Sequence, residues 1–136
     1  MNETEFSMIA EDEWNKVPEK FREQVKNVAL LVEDEPSDLV REEEGLEEGE
    51  TLLGLYHGIP LTERGSDYGI GGMLPDTITL YRLPLIEEAE AMDREFREAM
   101  RIAIRETIWH ELAHYFGFDE EPINHREGEG TNKFES

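Results

Sequence analysis

Three features of the sequence predict a single domain of the α+β class. The chain has 136 residues, a length that suits one domain with its own core. Three short apolar stretches have the composition of β-strands, and a long stretch near the C-terminus without proline or glycine is typical of a helix. We therefore assign residues 1–136 to one domain, with an acidic loop at 38–50 and a flexible tail at 123–136.

The spacing of apolar residues predicts the helices. Residues 5–27 carry apolar side chains every three to five positions, interrupted at Val17-Pro18, so we expect two short helices or one kinked helix. No proline or glycine occurs from Glu87 to Phe116, which predicts one helix of about eight turns.

A helical projection of that long segment separates two faces. His110 and His114 share a stripe with small or apolar residues and are predicted to face inward, while arginines take the opposite side (Arg94, Arg97, Arg101 and Arg105). After Arg105 apolar residues continue the charged side, namely Ile108, Leu112 and Phe116. The last three turns are therefore expected to be enclosed on all sides.

The predicted strands are residues 28–32, 52–57 and 77–83, and the first of them is expected to be largely buried. The segment between the second and third strands is rich in glycine and is expected to form a flexible lip of a cleft. Residues 38–50 contain too few apolar side chains to pack on a core, which indicates a solvated, mobile loop. A calcium-binding loop would need alternating ligands that this segment lacks.

Composition and charge exclude several classes of function. The chain has no cysteine, so thiolate metal ligands and a cysteine nucleophile are excluded. Acidic residues outnumber basic ones by 34 to 13, and the net charge of −21 disfavours nucleic acid and membrane partners. The acidic N-terminus is followed by no apolar run of signal-peptide length. We expect a cytoplasmic protein that is a monomer or a weak oligomer.

The segment His110-Glu111-Leu112-Ala113-His114 carries the chemistry. Positions i and i+4 of a helix lie about 6 Å apart on one face, so both histidines can bind one zinc ion. Glu111, one step around the helix, can reach a water molecule at the metal and act as general base. Random shuffling of this composition gives about 0.02 such patterns per chain, which makes chance a poor explanation.

The residues after His114 predict a third ligand. Gly117 can end the helix and let the chain turn back towards the metal. Glu120 then supplies a carboxylate, and two histidines plus a carboxylate leave one tetrahedral position for water. Asp119, Glu121 and His125 are alternative third ligands.

These residues resemble a known family. The pattern from His110 through Gly117 to Glu120 is similar to the extended zinc motif of the small bacterial zincin-like metallopeptidases, in which an acidic residue replaces the third histidine of the metzincins. Residues 28–36, 53–56, 58–64 and 74–82 also resemble that family. The resemblance implies zinc as cofactor, peptidase activity and a small mixed sheet packed on the active-site helix.

Two other functions fit the motif. One is a zinc-binding regulatory or protein-binding module with little turnover, although such a protein has no need of Glu111 as a base. The other is a zinc hydrolase of a small amide, which would need a closed pocket in place of a groove. For a peptidase, we expect an extended peptide or protein substrate at a sheet edge, with the strand around Leu80 as the candidate.

Overall fold

A computed structural model describes residues 1–23, 25, 28–58 and 76–116, together with the backbone of residues 126–127. The helices are α1 (Glu3–Asn15), α2 (Glu19–Arg22), α3 (Asp38–Glu43), α4 (Arg82–Glu90) and α5 (Phe96–Tyr115). The strands are β1 (Val28–Glu33), β2 (Thr51–Leu52), β3 (Gly54–His57), β4 (Asp76–Tyr81) and β5 (Arg126–Glu127). This arrangement confirms the α+β class.

The main sheet is small and mixed, as predicted, with the strand order β1-β4-β3. β1 is parallel to β4, whereas β3 is antiparallel to it. The central strand, β4, is buried along almost its whole length. β1 lies at an edge, and Leu31 is 41% exposed, so the expectation of a largely buried first strand is wrong.

The predicted second strand, 52–57, is divided between two sheets. Its first residue belongs to β2, which pairs with β5 in a separate two-stranded sheet, and its last four residues form β3. Of the predicted flexible tail, 123–136, only residues 126–127 are described, and their backbone pairs with β2. The predicted glycine-rich lip falls almost entirely on residues 59–75, which lie outside the described part of the chain.

Two helices at the N-terminus, α1 and α2, confirm the interruption predicted at Val17-Pro18. α1 begins with a capping box, in which the Asn2 side chain accepts the Glu5 N–H and the Glu5 carboxylate accepts the Asn2 N–H. Phe6, Ile9 and Ala10 on its inner face are buried in the core.

The single helix predicted from Glu87 to Phe116 is wrong, because the structure has two helices there. α4 begins earlier, at Arg82, and holds Pro84 in its first turn, where a proline costs no intrahelical hydrogen bond. α5 begins after its N-cap residue, Glu95, which has an extended backbone. The Glu95 carboxylate accepts the N–H groups of Arg97 and Glu98. A side-chain cap thus starts a new helix where neither proline nor glycine marks a boundary.

The acidic segment 38–50 also differs from the prediction, because its first part is the helix α3. Ser37 caps this helix by accepting the N–H of Val40. α3 buries none of its residues, so local capping forms the helix without support from an apolar face.

The long helix α5 packs against α1, α4 and the face of the sheet formed by β3 and β4. Its buried residues include Ala99, Met100, Ala103, Ile104 and Ile108. Trp109 in its last turns is 38% exposed, so the prediction that these turns are enclosed on all sides is wrong. None of the described helices combines the length and the apolar character needed to cross a membrane.

Candidate metal centre

The last two turns of α5 bring three potential metal-binding side chains together. The ring centroids of His110 and His114 lie 5.7 Å apart. One ligand atom from each of His110, Glu111 and His114 can be chosen so that all three lie within 4.8 Å of one another. Both histidines are half-buried, whereas Glu111 is only 1% exposed.

The histidines lie at the margin of the inward face and not at its centre. Thr107 and Ala103, one and two turns earlier on the predicted stripe, are fully buried. Both imidazoles are half-buried, so part of each residue is exposed to solvent. The prediction of an inward-facing pair is therefore correct in direction but overstates the depth.

Glu111 is held by the neighbouring strand. The main-chain N–H of Tyr56 in β3 donates to Glu111 Oε1 at 2.7 Å, a length typical of a hydrogen bond to a charged acceptor. Fifty-five positions separate the two residues in the sequence. Sequence reasoning gave no indication of this contact, because helical spacing does not show which strand lies beside a helix face.

Gly54 allows the close approach of α5 and β3. A Cβ atom at this position would lie 2.6 Å from Thr107 Cγ2 and 3.1 Å from the Thr79 carbonyl oxygen. These separations are shorter than van der Waals contact, so any larger residue would push the helix and strand apart. A glycine inside a strand is a sequence signal of such an approach.

The Tyr56 side chain also contacts both the sheet and α5. The Tyr56 hydroxyl donates to Asp76 Oδ2 at 2.7 Å, and the Tyr56 ring packs edge-on against Tyr115 with centroids 5.9 Å apart. Burial raises the pKa of Tyr81 above its ordinary value, and the charges of Glu33 and Glu111 act in the same direction. The Tyr81 phenol is therefore uncharged at neutral pH.

Aromatic residues join α2 to the outer side of the same turns. Phe21 packs edge-on against Trp109, with centroids 5.4 Å apart, and against Phe116 at 5.9 Å. α5 ends at Tyr115 with Phe116 as its C-cap. The histidine pair is thus fixed from both sides, by the sheet through Glu111 and by α2 through this aromatic cluster.

Several predicted site residues fall outside the described residues, namely Gly117, Asp119, Glu120, Glu121 and His125. The third ligand therefore remains a prediction. His57, the last residue of β3, is exposed.

The donor set fits a zinc ion, because imidazole nitrogens and carboxylate oxygens are the ligands that zinc takes where cysteine is absent. A helix that presents two histidines one turn apart, with a buried glutamate beside them and a small mixed sheet behind, defines the zincin class of protein.

Sequence comparison identifies the family within that class. The chain matches the family described as zincin-like metallopeptidase over residues 25–129, and it belongs to that family. It is similar to a solved structure of a conserved hypothetical protein from Thermus thermophilus, with 27% identity and a TM-score of 0.52. The match covers 84% of this chain and 92% of the other. No curated protein matches the chain.

Proposed function

We propose that the protein is a zinc-dependent metallopeptidase that hydrolyses peptide bonds with Glu111 as general base. The observation that carries the proposal is a carboxylate buried to 1% exposure and grouped within 4.8 Å of the ligand atoms of both histidines. A glutamate that served only to solubilise a helix would lie on its exposed side. Burial beside a potential metal site is typical of a reactive group.

Each residue has a separate role in this proposal. His110 and His114 hold zinc, with Glu120 as the third ligand. Zinc supplies Lewis acidity towards a water molecule and a peptide carbonyl. Glu111 takes a proton from that water as its oxygen attacks the carbonyl carbon, and then delivers the proton to the amine nitrogen as the C–N bond breaks.

The substrate is proposed to be an extended peptide, but not along the strand around Leu80. That strand, β4, pairs with β1 on one side and with β3 on the other, so it has no free edge for a peptide. Among the described strands, β3 lies at an edge of this sheet, and its Tyr56 contacts Glu111. A peptide lying beside β3 would bring its backbone closest to the proposed base.

Metal analysis tests the centre directly. We expect about one zinc per chain in the wild-type protein, and loss of most of it in His110→Ala and in His114→Ala, because each removes one of three protein ligands. His57→Ala is the matched control, since it removes an exposed histidine outside the group. Undiminished zinc in both ligand variants would contradict the site. Loss of zinc in His125→Ala but not in Glu120→Ala would show that His125 is the third ligand.

A cleavage assay on a broad peptide library tests the activity. We expect the zinc-loaded protein to cleave peptides and the metal-free protein to leave them intact. Zinc binding without any turnover would support a regulatory module, and turnover of small amides alone would support the other alternative.

A further inference from the structure

We propose that Gly54 and Tyr56 of β3 are positioning residues for Glu111. Contacts with this strand, and not the helix alone, fix the orientation of the Glu111 carboxylate. This inference rests on the proposed peptidase function. It begins from the 2.7 Å hydrogen bond between the Tyr56 N–H and Glu111 Oε1.

The strand register shows that this N–H lies on the side of β3 that faces away from β4. Tyr81 N–H donates to the Leu53 carbonyl at 2.9 Å, and the register places Tyr56 opposite Ile78. Hydrogen-bonded and non-hydrogen-bonded pairs alternate in an antiparallel ladder. Tyr56, three positions after Leu53, therefore belongs to a non-hydrogen-bonded pair. Its N–H points away from β4 and towards the carboxylate.

Gly54 sets the distance between strand and helix. Its missing side chain leaves the space that the Thr107 methyl group fills, because a Cβ there would come within 2.6 Å of Thr107 Cγ2. The same Cβ would lie 3.6 Å from Glu111 Cγ, an ordinary contact. An alanine at this position would thus push on the turn just before the base without blocking the base itself.

A second contact fixes Tyr56 relative to the helix. The Tyr56 ring packs on Tyr115, one turn after Glu111, and its hydroxyl is held by buried Asp76. The strand is therefore tied to α5 before and after Glu111, at Thr107 and at Tyr115.

The helix by itself cannot hold the Glu111 carboxylate in one position. A helix fixes the Cα of a glutamate, but the side chain has three rotatable bonds, so its carboxylate needs a tertiary contact to hold one position. Holding the base in place before the substrate arrives favours the rate of the chemical step over substrate affinity.

Amide hydrogen exchange tests the contact without any substrate. In the zinc-loaded wild type, the Tyr56 amide should be protected although it lies on a sheet edge. Its exchange should accelerate about tenfold or more in Glu111→Ala, as expected for loss of a hydrogen bond to a charged group. Gly54→Ala should have the same effect. Gly54→Ala/Thr107→Ser should restore protection, because serine removes the obstructing methyl group and keeps the hydroxyl, and Thr107→Ser alone is the matched control.

Kinetics then tests the consequence for catalysis. Gly54→Ala should keep its zinc and its KM while kcat falls about tenfold or more, and the double variant should recover kcat. Equal exchange rates in wild type and Glu111→Ala, or an unchanged kcat in a Gly54→Ala protein that has lost protection, would overturn the positioning role. A wild type that shows the protected amide but cleaves no peptide would contradict the proposed function instead.

Discussion

Two glutamates of this protein, Glu13 in α1 and Glu111 in α5, are buried to the same extent, with 1% of each exposed. Burying a carboxylate away from water is costly unless hydrogen bonds or charges compensate. The two residues are compensated in different ways, and the difference separates a structural carboxylate from the proposed general base.

Glu13 is surrounded by cations. Its carboxylate accepts hydrogen bonds from Arg101 Nη1 at 2.9 Å, Arg105 Nε at 2.9 Å and Lys16 Nζ at 3.1 Å. Burial by itself would raise the pKa of Glu13, but the hydrogen bonds from Arg105, Lys16 and Arg101 outweigh it and lower the pKa. These contacts join α1 to α5 through a carboxylate that is strongly held as the anion.

Glu111 is instead held by an uncharged main-chain N–H, beside two imidazoles. A main-chain amide orients a carboxylate by a hydrogen bond and carries no net charge, whereas arginine and lysine bring a positive charge with each hydrogen bond. One face of α5 thus forms ion pairs with α1, and the other carries the candidate catalytic centre.

The largest expected effect comes from the isosteric change Glu111→Gln. Turnover should fall by a factor of about 10² to 10⁴, because the amide cannot take a proton from the attacking water. Zinc content and thermal stability should change little, since the glutamine oxygen can still accept the Tyr56 N–H. The measurement is kcat on a peptide that only the zinc-loaded protein cleaves, and activity within a few-fold of wild type would refute the assigned role.

The same substitution at the other buried glutamate, Glu13, should lower stability and leave turnover nearly unchanged. Glu13→Gln should lower the free energy of unfolding by about 1–3 kcal/mol, because it leaves three cations without their shared anion. Turnover per zinc-loaded molecule should stay near that of wild type. Urea unfolding and kcat, measured on both glutamine variants, give the comparison. A Glu13→Gln protein that is as stable as wild type but inactive would reverse the two assignments.

The sequence predicted the two faces of α5 better than it predicted their partners. The projection correctly placed Arg101 and Arg105 together, and the motif identified the histidine pair and Glu111. The local pattern does not distinguish Glu13 from a surface glutamate, because its two arginine partners lie 88 and 92 positions away and meet it only when α1 packs on α5. The contact between Glu111 and Tyr56 was missed for the same reason.

Boundaries set by side-chain caps were also missed. The break before α5 depends on Glu95, whose carboxylate accepts two N–H groups of the first turn. A glutamate is common inside helices, so its position in the sequence did not indicate a helix start. The positions of the strands were easier to predict, because apolar runs rich in β-branched residues favour strands, although β1 is less buried than its composition predicted.

The stability that Glu13 contributes should depend on pH. The pKa of Glu13 in the folded protein lies below its ordinary value of 4.5, so its stabilising contribution is complete above that value and is lost as the pH falls through the folded-state pKa. The difference in unfolding free energy between wild type and Glu13→Gln should therefore shrink below about pH 4.5. Unfolding of the metal-free proteins isolates this effect from metal binding, and a difference that stays constant down to about pH 3 would contradict it.

The smallest expected effects come from substitutions of two arginines, Arg105 in α5 and Arg94 in the turn before α5. Arg105 contacts the fully buried carboxylate of Glu13 at 2.9 Å, whereas Arg94 pairs with Glu98 at 3.7 Å and both of those side chains are more than half exposed. Arg105→Ala should cost about 1 kcal/mol of stability, because Lys16 and Arg101 still compensate Glu13. Arg94→Ala should cost less than about 0.5 kcal/mol, since solvent screens an exposed pair. Thermal unfolding of the two variants measures the difference, and about 0.5 M salt should remove most of the Arg94 effect while leaving most of the Arg105 effect. Equal losses in the two variants would mean that the buried position of Glu13 adds nothing to the ion pairs it makes.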